Sequence, residues 1–406
     1  MKLMTSLAAL VASVSLCQAA EISGGVVKIG VLNDQSGVYA DFGGRTSVDA
    51  ARMAADEFMS KNKNIKVEIV SVDHQSKVDV AVATAKQWFE TEGVDAIADL
   101  TNSAVAIAVN TMGRDLGKIT LMTAPLTTAL TNESCSPTGF HWGWDTYSQS
   151  VGTASALLDR GEKDWFILAA DYAFGAAMTA ELDRVVTAKG GKVVGQVKHP
   201  LGANDFSSFL LRAQSSKAQI IALANGGTDT INAIKQAGEF GIAAGGQKLA
   251  GLAVVISDVH ALGLKAAQGL IVATPFYWDH NAQTRAFSQR FQERTKRMPG
   301  VVQAATYSAV SHYLQAVAAA GTDDGKTVAA KMRATPVHDA YAPNGKIRPD
   351  GRMVTDMYLV EVKTPAESKG EWDYFKVLGK IPEGDTAAPL SASRCPLVKE
   401  AASQAK

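Results

Sequence analysis

The stretch Lys28-Ile29-Gly30-Val31-Leu32, running on into Asn33-Asp34 and then Tyr39, sets the reading of the whole chain. It is a short apolar run ended by a polar turn. A helical pattern follows at 45–61, where Val48, Ala51, Met53, Ala55 and Phe58 fall largely on one face. Strand-like runs recur at 65–72, 94–100 and 119–123, with helical patterns at 78–92 and 104–116 between them. Strands apolar on both faces, each followed by a helix, make a parallel sheet covered on two sides.

The opening then comes a second time. Trp165-Phe166-Ile167-Leu168 leads into Asp171-Tyr172. Strand-like runs at 165–170, 192–198, 219–224, 248–251 and 269–274 alternate with helical ones at 174–188, 207–214, 228–240 and 257–264. The expected fold class is α/β, with two Rossmann-like lobes built on parallel sheets. Each opening strand brings an acid and a tyrosine to its C-terminal end, where open α/β sheets bind ligands. Two facing lobes would pool two such edges in one cleft.

Aromatic connectors, His141 to Tyr147 and Ala273 to Asp279, stand where one alternation stops and the next begins. They read as hinge crossings. Helical patterns at 284–296, 302–320 and 325–334 follow, then strand-like runs at 345–348, 357–362 and 374–378. A third crossing is expected near residue 350. These boundaries give a first lobe of 21–145 plus 279–350 and a second of 146–278 plus 351–385. Residues 386–406 read as an extended tail.

The N-terminus carries Met1-Lys2, an apolar run from Leu7 to Leu16, and small residues Ala19-Ala20. That is the layout of a cleaved secretory signal peptide over 1–20. The run is shorter than the ~20 residues a membrane span needs. Leu16, not a small residue, precedes Cys17, so a soluble exported protein in the periplasm is expected. About 385 residues then remain, enough for two domains. Lys plus Arg and Asp plus Glu are equal at 40 each, so no basic field favours nucleic acid. Cys135 and Cys395 survive cleavage; in an oxidising compartment they either form one disulfide or stay as buried thiols.

Motifs for chemistry are missing. The turn Asn33-Asp34-Gln35-Ser36-Gly37-Val38 lacks the glycine spacing of a dinucleotide site. Gly321 to Thr327 resembles a phosphate loop, but its gap is one residue short and a helix precedes it. Asp41-Phe42-Gly43 has no kinase companions, and the seven histidines form no metal-ligand pair. No cofactor, metal or catalytic residue is expected. The rival of another class is a hydrolase or isomerase on the same two-lobe frame.

In combination, several motifs resemble a known family. They are Ile29 to Leu32 with Ser36-Gly37-Val38-Tyr39, Ala50-Ala51-Arg52, Asp73-His74-Gln75, and Asn102-Ser103-Ala104 with Thr127. Asp171-Tyr172-Ala173-Phe174-Gly175 and Asp205-Phe206-Ser207-Ser208 complete the set. The chain resembles the periplasmic solute-binding proteins of ABC importers, in the branched-chain amino acid receptor group with its type I fold and three-crossing hinge. The resemblance implies a monomeric receptor that takes a small ligand and delivers it to an inner-membrane ABC permease. It puts the ligand carboxylate between Ser103 and Thr127, with Asn102, Ala104, Pro125 and Leu126 on the same edge. Tyr39 and Tyr172 become cleft aromatics, and Gly226 and Gly227 a contact loop of the second lobe.

One departure bears on the ligand. Amino acid receptors of this group carry a Glu after the strand ending near Gly251, and it pairs with the ligand ammonium. This chain reads Gly251-Leu252-Ala253-Val254-Val255. An unpaired buried ammonium costs several kcal/mol, against the ~8 kcal/mol of a micromolar complex. The expected ligand is therefore a small carboxylate with an apolar or aromatic body, an aromatic acid or a 2-keto acid. Trp144, Tyr147, Phe276 and Tyr277, with Ala253 in the cleft wall, would stand in for the ammonium site. The alternative is a branched-chain or other hydrophobic amino acid, or an amide, with Asp229 or Asp171 supplying the acid.

Overall fold

A computed structural model describes residues 21–404; the expected signal peptide lies outside the described residues. The first sheet holds β1 (Val26–Asn33), β2 (Lys66–Asp73), β3 (Ala96–Asp99), β4 (Ile119–Met122) and β5 (Gly139–His141). All its pairings are parallel, in the order β2-β1-β3-β4-β5. The second sheet holds β6 (Asp164–Ala170), β7 (Lys192–His199), β8 (Ile220–Ala224) and β9 (Lys248–Gly251), also parallel, in the order β7-β6-β8-β9. The side to which successive strands are added reverses between β1 and β3 and again between β6 and β8. Those are the switch points at which such sheets bind ligands.

The first helix, Gly44–Lys61, buries the face expected of it, including Val48, Ala51, Met53, Ala55 and Phe58. Helices Ala282–Thr295 and Val301–Ala320 pack against it, so the chain has by then returned to the first lobe. Beside the second sheet, β10 (Ile271–Thr274), β13 (Met357–Val362) and β14 (Phe375–Ile381) form an antiparallel sheet in the order β10-β13-β14. A short hairpin of β11 (Lys346–Ile347) and β12 (Met353–Val354) precedes the last crossing. No helix among the described residues is long and apolar enough to cross a membrane.

The crossings are fastened to one another. Arg352 forms a buried ion pair with Asp145 at 3.2 Å and donates to the carbonyl oxygens of His141, at 3.2 Å, and Gly143. Gln149 Nε2 donates to the Ala273 carbonyl at 2.8 Å, and the Ala273 N–H donates to Thr153 Oγ1 at 3.1 Å.

Local signals missed three features. β5 is only three residues long and is specified by its pairing with β4. Residues 146–159 are helical, capped by Asp145, whose carboxylate accepts from Ser148 N at 2.8 Å. The tail is a correction to the expected extended segment: Pro396–Gln404 is helical. The tail also returns from β14 to the first lobe. Arg348 donates to the Ala388 carbonyl at 2.8 Å, and a Cys135–Cys395 disulfide joins residues 260 apart in sequence.

Candidate functional site

At the C-terminal edge of the first sheet, polar side chains shape the backbone. Asp34, just past β1, accepts from Gly37 N at 2.7 Å, Tyr39 N at 3.2 Å and Ser76 Oγ at 2.8 Å. The turn closes so tightly that a Cβ at Gly37 would lie 2.6 Å from the Asp34 carboxylate. Tyr39 is thereby aimed at the second lobe. After β3 the chain bends through three non-glycine residues with positive φ: Asp99 at 74°, Leu100 at 58° and Asn102 at 83°. Each such residue costs of order 1–3 kcal/mol and persists where the surroundings enforce it. Here Asp99 accepts from Thr101 N at 3.0 Å and Asn33 Nδ2 at 3.0 Å. Burial raises the Asp99 pKa, and the hydrogen bonds from Thr101, Ser47 and Asn33 oppose that rise. Asn102 then caps the helix Ser103–Leu116, accepting from Ala104 N at 2.9 Å and Val105 N at 3.3 Å.

The second lobe meets this edge with little side chain. β6 leads into Tyr172 and the helix Ala173–Ala188, β8 into Gly226-Gly227, and β9 into the loop holding Ala253. The Tyr39 and Tyr172 hydroxyls hydrogen-bond across the cleft. Burial is the main cause that raises both phenol pKa values, so both stay neutral.

Between the edges lies a narrow cavity of about 10 Å³, room for about one water. Of the residues expected at the site, Tyr39, Asn102, Ser103, Pro125, Leu126, Tyr172, Gly226 and Ala253 line it. Phe42, Thr101, Ala124 and Phe174 line it as well and were not expected. Phe42 stands three residues after Tyr39 and Phe174 two after Tyr172, so the strand-edge rule applied to both. No lining residue carries a charge.

The other expected residues stand apart from the wall. Ala104 sits in the first turn of the helix behind Ser103. Thr127 is buried, and its hydroxyl accepts from Ala129 N at 3.3 Å. Gly227 faces the Val38 carbonyl. Trp144 backs the wall, its ring 5.8 Å from that of Phe42. Tyr147 lies under the Arg184 guanidinium, 5.0 Å from the ring centre. Phe276 and Tyr277 border a separate void of about 10 Å³ with Val254 and Pro299.

The two acids considered for an ammonium do not line the cavity. Asp171 is exposed and pairs with Lys198 at 3.0 Å. Asp229 is buried and accepts from Gly202 N at 3.1 Å; burial pushes its pKa up to about 7.

The profile of the periplasmic binding protein family matches residues 26–371. A periplasmic binding protein of Burkholderia mallei is 46% identical, with a TM-score of 0.90 over 92% of this chain and 99% of that one. A branched-chain amino acid ABC transporter periplasmic ligand-binding protein of Burkholderia xenovorans LB400 is 41% identical, with a TM-score of 0.81 over 92% and 100%. A solute-binding protein of an R. palustris ABC transporter, solved with benzoate, is 22% identical, with a TM-score of 0.79 over 92% and 100%, and shares the fold. Two parallel-sheet lobes closing on a shared strand-edge cavity thus carry a sequence match over most of their length, and the chain belongs to the periplasmic binding protein family, as a solute-binding protein of an ABC transporter.

Proposed function

We propose that this protein captures a small carboxylic acid with an aromatic or apolar body, such as a benzoate-type acid or a 2-keto acid, and delivers it to an inner-membrane permease. The observation that carries this reading is the uncharged cavity wall, with Ala253 at the loop where an ammonium-pairing acid would stand. Helices opening at Ser103 and Ala173 turn their N-termini toward the cavity, and the positive ends of helix dipoles favour an anion. An ammonium would meet no carboxylate there. Phe42, Phe174 and the two tyrosines suit a flat apolar body.

In this reading Ser103 holds the carboxylate, Tyr39 and Tyr172 flank the ligand body, and the protein does no chemistry. Export through the 1–20 signal peptide, a monomeric state and the lobe boundaries 21–145 plus 279–350 and 146–278 plus 351–385 belong to the same proposal. Transport follows from lobe closure as a population shift set by the ligand's preference for the closed form.

A second reading, a hydrophobic amino acid, is favoured by the likeness to the B. xenovorans branched-chain amino acid ligand-binding protein. Calorimetric titration with benzoate, 4-methyl-2-oxopentanoate and leucine separates the two. Binding of either acid with no heat from leucine is expected. Leucine binding with no response to the two acids overturns the proposal.

A further inference from the structure

The helix Thr228–Glu239 has no cap of its own. Gly227 at its N-cap position offers no side chain, and no side-chain hydrogen bond reaches the first turn from that position. The first N–H groups of a helix have no partner within it and need one from outside. Here the partner comes from the other lobe: Thr228 N–H donates to the Val38 carbonyl at 3.0 Å.

Gly227 makes that approach feasible. Its φ is +59°, and a Cβ there would lie 2.2 Å from the Val38 oxygen. Gly226 and Gly202 belong to the same seat. A Cβ on Gly226 would lie 3.3 Å from the Tyr39 ring, and one on Gly202 3.4 Å from Val38 Cγ2. The Val38 carbonyl is presented by the turn that Asp34 stiffens through its bonds to Gly37 N at 2.7 Å and Tyr39 N at 3.2 Å. That turn also offers the Asp41 carbonyl, which accepts from Ser257 Oγ of the second lobe at 2.8 Å.

We infer that the first lobe caps this helix in trans, and that Gly227 and the Thr228 N–H are the residues that set lobe closure. Opening the lobes leaves the helix end uncapped, so closure is stabilised by a contact that involves no ligand. The ligand-free protein therefore populates the closed form alongside the open one. The helix end taken by Val38 is also withdrawn from the ligand, which leaves an anion to the helices that open at Ser103 and Ala173.

The test uses ligand-free protein, so its failure leaves the ligand reading intact. Single-molecule energy transfer between one exposed label on each lobe reports the open and closed distances. Thr228→Pro removes the N–H at the one helix position where proline is well tolerated. It is expected to lower the closed-to-open ratio at least about fivefold, the worth of a lost cap, with Tm nearly unchanged. Thr228→Ala keeps the N–H, and the Thr228 side chain is exposed, so this variant should match wild type. Gly227→Ala, which drives a Cβ into the Val38 carbonyl, should abolish the closed distance. A single open distance in wild-type protein, or equal closed fractions for the proline and alanine variants at 228, overturns the inference.

Discussion

At the ends of β1 and β3 the first lobe gathers Asn33, Asp34, Asp99, Thr101 and Asn102, tied together by hydrogen bonds and bent through positive φ angles. At the ends of β8 and β9 the second lobe offers Gly226, Gly227 and Ala253. The strand order on either side of the cleft is the same, β2-β1-β3-β4 against β7-β6-β8-β9. One frame therefore carries two divisions of labour. The first lobe is organised in advance around fixed donors, at a cost in backbone strain. The second is pared down so that the first can approach it. In the proposed reading the polar edge holds the ligand's head group, while the bare loops after β8 and β9 let the lobes close.

The harshest way to break this contrast is to put an acid on the bare edge. Ala253→Glu buries a carboxylate in an otherwise neutral wall, at a position only 3% exposed. Benzoate affinity should fall more than ~100-fold, since an unpaired buried charge costs ~3–5 kcal/mol, and leucine binding should appear. Calorimetry with both ligands reads the exchange; retained benzoate affinity would mean that the second lobe is not the wall. A smaller loss is expected on the polar edge. Ser103→Ala should weaken carboxylate binding ~10–100-fold, the worth of a hydrogen bond to a charged group at ~1.5–3 kcal/mol. Thr127→Ala should cost less than ~5-fold, because its hydroxyl serves Ala129 N. Equal losses would shift the anion toward Thr127.

Between the two edges, Tyr172→Phe deletes the hydroxyl bonded to Tyr39. A neutral hydrogen bond contributes ~0.5–1.5 kcal/mol, so affinity should drop ~3–10-fold. A variant that binds as tightly as wild type would mean that this bond opens when ligand enters.

The mildest effect concerns pH. Burial pushes Asp258 up to about 8 and Asp229 up to about 7, above the ordinary carboxylate range near ~4. The folded form keeps protons that the unfolded chain has already lost. Stability from these groups therefore falls as pH rises from ~4 and levels off above about 8. Buried His74, His141, His199 and His312, whose pKa values burial lowers, contribute with the opposite sign, so the readout is a comparison: Tm should fall more steeply, or rise less, between pH ~4 and ~8 in wild type than in Asp258→Asn. An unchanged slope would show that Asp258 stays ionised.

Legibility in the sequence followed the range of the forces involved. β1, β6 and the helices that follow them were readable because apolar periodicity and strand-end polarity are local. β5 has three residues and exists through its neighbour β4, so no window of sequence contained its cause. Tyr39 and Tyr172 could be put near the cavity because each follows a strand, and Ser103, Gly226 and Ala253 through the family resemblance. Phe276 and Tyr277 follow a strand too, yet they border a different void. Aromatic density at a crossing reports burial without saying which space is filled. Phe42 and Phe174 were overlooked because each lies beside a tyrosine that already explained the position.

The bond between Cys135 and Cys395 has a bearing on when the molecule is finished. Its partners are 260 residues apart, so the second lobe and the later helices of the first must be synthesised before it can form. With the proposed export it forms after translocation and depends on the oxidants met there. Chains kept in a reducing cytoplasm would carry both sheets but hold the tail only by weaker contacts, such as those of Arg394 to Asn132 and Glu133 and of Arg348 to the Ala388 carbonyl. The tail's susceptibility to protease thus becomes a readout of whether a given molecule has been exported.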